Sequence, residues 1–161
     1  VFDEMMRDDV QFILLGTGER GFEEFFRAAA ARYPGRVSVN LTYDRAMSKL
    51  IYAGADIFLM PSKSEACGLS QMIASRYGTV PVVRETGGLY DTIKPYGPDR
   101  SGNGFTFASY NAHDMLHVVR EAEGLYRDTE NWKALVKKIM KLDFSWNASA
   151  EKYDGLYEHL I

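Results

Sequence analysis

The stretch Asp56-Ile57-Phe58-Leu59-Met60-Pro61-Ser62, continued by residues 69–77, Gly78 and Val80-Pro81-Val82-Val83, decides the fold. An apolar run cut off by Pro-Ser fits a strand buried on both faces, because such a strand needs no polar side. Residues 69–77 carry a helical pattern and stop at Gly78, a residue suited to the left-handed turn that ends a helix. A second apolar run follows at once, with Pro81 near its start, where a missing N–H is best tolerated. Strand, loop, helix and strand in this order make a parallel unit.

The same rhythm extends outward. Upstream, Val10-Gln11-Phe12-Ile13-Leu14-Leu15 reads as a strand ending in the turn Gly16-Thr17-Gly18. Residues 22–33 then place Phe22, Phe25, Phe26 and Ala29 on one helical stripe, stopped by Pro34-Gly35. Val37-Ser38-Val39-Asn40-Leu41 alternates as a strand, and Asp44 is set to cap a helix whose inner face is Met47, Leu50, Ile51 and Ala55. Downstream, a loop over about 95–103 leads to a last strand at Gly104-Phe105-Thr106-Phe107. Helical patterns over about 112–127, 129–141 and 147–160 close the chain, with Phe144-Ser145-Trp146 as an apolar anchor for the last. The expectation is an α/β domain with a Rossmann-like, doubly wound parallel sheet. Residues 1–161 form one domain, of which about 145–161 is a trailing helix.

The chain has 161 residues, 46% hydrophobic and 25% charged, enough for one hydrophobic core. A net charge of −3 gives no support for a nucleic-acid or anionic-membrane partner. One cysteine makes no internal disulfide and is consistent with a reducing compartment. No apolar run approaches the roughly 20 residues that cross a bilayer, and the N-terminus lacks the basic-then-apolar pattern of a secretory leader. The opening Val1-Phe2-Asp3-Glu4, without a methionine, reads as entry inside a helix and as a domain from a longer chain.

Ligands in doubly wound folds sit beyond the carboxyl ends of the strands. The richest loop there is Pro61-Ser62-Lys63-Ser64-Glu65-Ala66-Cys67-Gly68-Leu69-Ser70-Gln71. Free N–H groups at a helix start, with the helix dipole behind them, favour an anion. Gly68 lets a ligand approach the main chain, and Glu65 can accept hydrogen bonds from sugar hydroxyls. Spacing alone serves an ordinary reading as well, with Ser62 or Ser64 capping the helix and Glu65 in its first turn. Gly16-Thr17-Gly18 continues to Gly21 and satisfies G-x-G-x-x-G literally, but no acidic residue follows at the second strand end before Asp44. A tight turn beside a phosphate or ribose is the better reading. Thr86-Gly87-Gly88-Leu89 is a glycine pair that can offer main-chain amides to a ligand or permit close packing, the latter slightly favoured, and Tyr43 past a strand end can stack on a base. Cys67 has no histidine near it and reads as a small residue in a turn. His113 and His117 stand at a zinc-binding helical spacing without a third ligand, and read as a partly exposed helix face.

Pro61-Ser62 through Glu65-Ala66-Cys67-Gly68-Leu69-Ser70-Gln71, then Arg76-Tyr77-Gly78-Thr79-Val80-Pro81-Val82-Val83 and Thr86-Gly87-Gly88-Leu89-Tyr90-Asp91-Thr92, together resemble bacterial glycogen synthases and plant starch synthases. Gly54-Ala55-Asp56 and Asp143-Phe144-Ser145-Trp146 are similar to that family too, so the resemblance runs from about Phe12 to Tyr157. It implies the C-terminal, donor-binding half of a GT-B glycosyltransferase, with the N-terminal acceptor half absent. It further implies transfer of glucose from ADP-glucose to an α-1,4-glucan with retention and without a metal or other cofactor. The location implied is the bacterial cytoplasm, or the plastid for a plant protein.

By the same resemblance Glu65 is the acidic residue at the donor sugar. The amides of Cys67 and Gly68 hold glucose hydroxyls, those of Leu69 and Ser70 hold phosphate, and Tyr43 lies against adenine. Gly16, Thr17 and Gly18 join them as donor-binding residues. Two departures stand out: Ile73 replaces a second Glu that other retaining relatives carry, and Ala66 replaces the usual Pro after Glu65. The Arg and Lys that offset the leaving diphosphate in that family have no counterpart here. The competing expectations are the donor half of another retaining GT-B transferase, or a nucleotide-binding module without turnover.

Overall fold

The computed structural model describes residues 1–160. Its elements run α1 (Phe2–Met5), β1 (Phe12–Leu15), α2 (Arg20–Arg32), β2 (Val37–Asn40), α3 (Arg45–Gly54), β3 (Ile57–Met60), α4 (Ser70–Tyr77), β4 (Val80–Arg84), α5 (Gly88–Thr92), β5 (Phe105–Phe107), α6 (Ala112–Arg127), α7 (Thr129–Ile139) and α8 (Trp146–Glu158). Every strand pair is parallel, in keeping with the expected α/β class. The five strands form two blocks, β1-β2 and β3-β4-β5, and not one unbroken sheet. Among the described residues no helix is long and apolar enough to cross a membrane.

Burial concentrates on β4, where Val80, Pro81, Val82 and Val83 are all buried. Phe105 and Phe107 of β5 pack beside it, with Leu116, Val119 and Ala122 of α6 and Trp132, Leu135 and Ile139 of α7 completing the core. Each such side chain contributes about 1.5–3 kcal/mol on burial, so this block is the stable part of the molecule. Gly78 closes α4 in the left-handed conformation at φ 87°, and Val136 and Met140 of the α7 region stand where a side chain would begin.

Local signals placed the helix starts well. Asp44 accepts from the N–H groups of Ala46 and Met47 at 2.8 and 2.9 Å, as an N-cap should. Asn111 caps α6 and Ser145 caps α8 in the same way. The inward faces differ from expectation. Phe22 and Leu50 are 64% and 73% exposed, although Phe26 packs on Phe2 and Phe12 and Ala29 is buried farther along the α2 stripe. Trp146 is 90% exposed and anchors nothing; α8 buries no residue at all.

Glu123 on α6 is buried, and desolvation with the nearby Asp8 and Asp9 charges raises its pKa against the opposing pull of Arg127 and Arg120. The folded chain therefore holds a proton that the unfolded chain releases, so stability falls as pH climbs from the unfolded value through the raised one. Glu123→Gln is expected to melt above the parent at neutral pH, with the gap closing below about pH 4; thermal melts across that range check it.

Candidate functional site

The loop between β3 and α4 lies at the carboxyl end of its sheet, and its main chain is held from three sides. Gln71, fully buried in the first turn of α4, donates through Nε2 to the carbonyl of Gly68 at 2.8 Å and to the Thr92 hydroxyl at 3.1 Å. Thr92 in turn donates to the carbonyl of Gly88 at 2.6 Å. The Gly88 N–H donates to the Glu65 carbonyl at 3.3 Å. From the remaining side, the guanidinium of Arg84 donates to the carbonyls of Ser62 and Lys63 at 3.3 and 2.8 Å.

Glycines make this closeness possible. A Cβ on Gly87 would lie 1.9 Å from the Glu65 carbonyl oxygen, and one on Gly88 would lie 2.0 Å from that of Cys67. Gly87 also sits at φ 48°, ψ −131°, a region that side chains avoid. Thr86-Gly87-Gly88 thus works by packing, as its sequence reading proposed. Gly68 at φ 74° turns the chain into α4 directly over the Gln71 side chain.

The helix α4 begins at Ser70 with Leu69 at the cap position, and no side chain caps it. Ser62 and Ser64 lie well upstream of that start, so the ordinary reading of them as caps is set aside. The helix start keeps N–H groups and the positive end of its dipole facing outward, which is the chemistry of an anion site. Glu65 is half-buried just before it, and its carboxylate takes part in none of the ion pairs among the described residues. Cys67 is exposed with a free thiol. A carboxylate, a glycine turn and an uncapped helix start are therefore brought together on one rigid main-chain frame.

The other expected residues sit on neighbouring strand ends. Gly16-Thr17-Gly18 follows β1 and lines a cavity of about 270 Å³ together with Phe22 and Leu41. The Gly18 N–H donates to Glu23 Oε1 at 3.1 Å, so this turn already has an acidic partner from α2. Tyr43, after β2, is 88% exposed with its ring free to stack. No hydrogen bond among the described residues joins Tyr43 or Gly16-Thr17-Gly18 to the Glu65–Ser70 loop. His113 and His117 lie exposed beside Glu4 and Glu121 at 3.5 and 3.6 Å, and no described group of three or more ligand-type residues could hold a metal. Gln71, Thr92 and Arg84 are the positioning residues that motif reading passed over. Arg84 reaches main chain 21 and 22 residues away, and the Gln71 and Thr92 side chains meet across 21 residues, which spacing does not reveal.

Comparison with known proteins gives the chain a family. The family model for glycosyl transferases group 1 matches residues 1–123. The chain is 52% identical, over 100% of its own length, to the glycogen synthase of Geobacillus thermodenitrificans, of which it covers 33%. It is 49% identical to that of Desulforamulus reducens, of which it covers 34%. The chain thus spans about a third of the length of the curated relatives it matches. A solved catalytic domain of starch synthase IV from Arabidopsis thaliana, bound to ADP and acarbose, superposes with a TM-score of 0.80 at 38% identity, over 92% of this chain and 32% of that one. A sucrose-phosphate synthase from Thermosynechococcus elongatus shares the fold at a TM-score of 0.66 and 20% identity, over 93% of this chain and 38% of that one. With three quarters of its residues under that family model, the chain belongs to the glycosyl transferases of group 1.

Proposed function

We propose that this chain is the C-terminal, donor-binding half of a retaining glycogen or starch synthase, taking ADP-glucose and extending an α-1,4-glucan held by an N-terminal half. The observation that carries the reading is the frame in which Gln71, Thr92 and the Gly87-Gly88 pair fix Glu65 directly before the uncapped start of α4. Support comes from the likeness over the whole chain to glycogen synthases and to a starch synthase solved with ADP.

In this reading the diphosphate of the donor meets the N–H groups of Leu69 and Ser70 and the positive end of the α4 dipole. Fixed amides of this kind stabilise charge as it develops on the leaving group, and no reorganisation is needed at the moment of reaction. No metal ion is assigned to the step. The amides of Cys67 and Gly68 take glucose hydroxyls, the carboxylate of Glu65 accepts from others and orients the sugar, and Tyr43 stacks on adenine beside Gly16-Thr17-Gly18. The cytoplasm is the compartment proposed.

Because the acceptor half of the cleft is not in this chain, labelled ADP-glucose should give no transfer to glycogen with the 161-residue chain. Its binding of ADP should be weak, with Kd well above micromolar, since each absent charge-assisted contact is worth about 1.5–3 kcal/mol. Transfer by this chain alone, or tight ADP binding in calorimetry, would sink that division of labour. No transfer by a polypeptide extended to relative length would favour a binding module, and transfer from a different nucleotide sugar only would favour another transferase of this fold.

A further inference from the structure

Beyond the carboxyl end of β5, residues 108–111 carry the chain to α6, and Tyr110 among them is 63% exposed. A lone exposed aromatic residue needs no explanation. This one is pinned. The guanidinium of Arg84 lies over its ring, 5.4 Å from the centroid, in a cation–π contact. The same guanidinium donates to the carbonyls of Ser62 and Lys63, so one side chain joins the ring to the loop that leads to Glu65. Arg84 is half-buried and its Nε is enclosed, which leaves the group little freedom to turn.

The segment that carries the ring is fixed as well. Arg84 pairs with Phe107 across β4 and β5, the Glu85 N–H donates to the Phe107 carbonyl at 2.9 Å, and the Thr106 hydroxyl donates to Glu85 Oε1 at 2.6 Å. Past Tyr110, the Asn111 N–H donates to the Ser109 carbonyl at 2.8 Å, and the Asn111 side chain caps α6. With Arg84 over one face of the ring, the exposed area is the opposite face and the hydroxyl edge. A ring already held in place binds at little entropic cost, because tyrosine has few torsions to freeze.

Position decides what the ring takes. Tyr43 follows β2, and β2 pairs with β1, which shares a cavity wall with β3. Tyr110 follows β5, at the far edge of the β3-β4-β5 block. The Glu65–Ser70 loop follows β3 and therefore lies between the two rings. A donor with its base at Tyr43 and its diphosphate at the start of α4 ends in the sugar at Glu65. Next in line, on the side of β4 and β5, comes whatever receives that sugar. A pyranose presents a flat face of C–H groups between its hydroxyls, and an aromatic ring with a hydroxyl at its edge is matched to both.

We propose that Tyr110, held by Arg84, stacks on a glucose ring of the acceptor α-1,4-glucan. The proposal rests on the donor-site reading above and adds an acceptor contact from this half of the cleft.

Titrating maltoheptaose into the 161-residue chain while following the tyrosine ring signals by NMR tests the contact apart from turnover. The Tyr110 signals should move most, and Tyr110→Ala should weaken the affinity about three- to tenfold, the range of one aromatic contact. Tyr110→Trp should bind at least as well as the parent, and Tyr153→Ala, which removes an exposed ring of α8, should bind as the parent does. In a polypeptide extended to relative length, Tyr110→Ala should raise KM for maltoheptaose by the same factor, with kcat and KM for ADP-glucose at parent values. Unmoved Tyr110 signals, equal weakening by Tyr153→Ala, or a joint rise of both KM values overturns the proposal, the last by marking a contact with the other half of the protein. Absence of any transfer by the extended polypeptide strikes the donor reading instead, and the titration then decides whether Tyr110 holds glucan.

Discussion

Replacing Glu65 by alanine in the extended polypeptide is expected to lower glucosyl transfer by about a hundred- to a thousandfold, with a change in melting temperature of no more than about 2 °C. The separation follows from how the residue is held. Its main-chain carbonyl receives the Gly88 N–H, and that contact survives the substitution. Its carboxylate pairs with no described residue, so the fold loses little when it goes. What is lost is an acceptor poised beside the uncapped start of α4. Glu65→Gln keeps the shape without the charge and should fall between alanine and the parent. Steady-state kcat/KM and thermal melts on the same preparations check both statements; turnover at the parent level would remove Glu65 from the site.

Gly87→Ala is expected to do the opposite, damaging the fold first and the chemistry through it. The added methyl would lie 1.9 Å from the Glu65 carbonyl oxygen, and main chain cannot swing aside as a flexible side chain can. The backbone at φ 48° adds strain of its own. A cost of about 3 kcal/mol, or a fall of about 6–12 °C in melting temperature, is expected for a chain of this size. The Glu65–Ser70 loop must shift to relieve the clash, so transfer by the extended polypeptide should drop with it. Gly18→Ala is the control, since nothing lies within 4 Å of its added methyl. A parent-like melt for Gly87→Ala would show that the two segments are not pressed together as described.

The rhythm of strands and helices was legible because its punctuation is chemical. Gly78, Asp44 and Pro61 end or begin elements through their own backbone preferences, and each acts where its sequence position says. The faces were less legible. A stripe such as Phe22, Phe25 and Phe26 reveals that one side of a helix is apolar and says nothing about what covers it. Phe22, Leu50 and Trp146 prove exposed for that reason. At the site, Glu65 and Gly68 were readable as a carboxylate and a turn before a helix. The clamp was not, because Gln71 reaches Thr92 across a strand and Thr92 in turn holds the Gly88 carbonyl, and a buried amide looks like any other glutamine in a string of letters.

The Glu65–Ser70 loop is gripped by its carbonyls and by the absence of side chains at Gly87 and Gly88, and hardly at all by its own side chains. The loop is thereby free to change its outward residues without changing its path. Lys63, Ser64, Ala66 and Cys67 are exposed and can be exchanged one at a time while the main chain at the start of α4 stays where it is. Under the donor-binding role proposed above, selectivity among sugars and retention of the nucleotide are then separately adjustable.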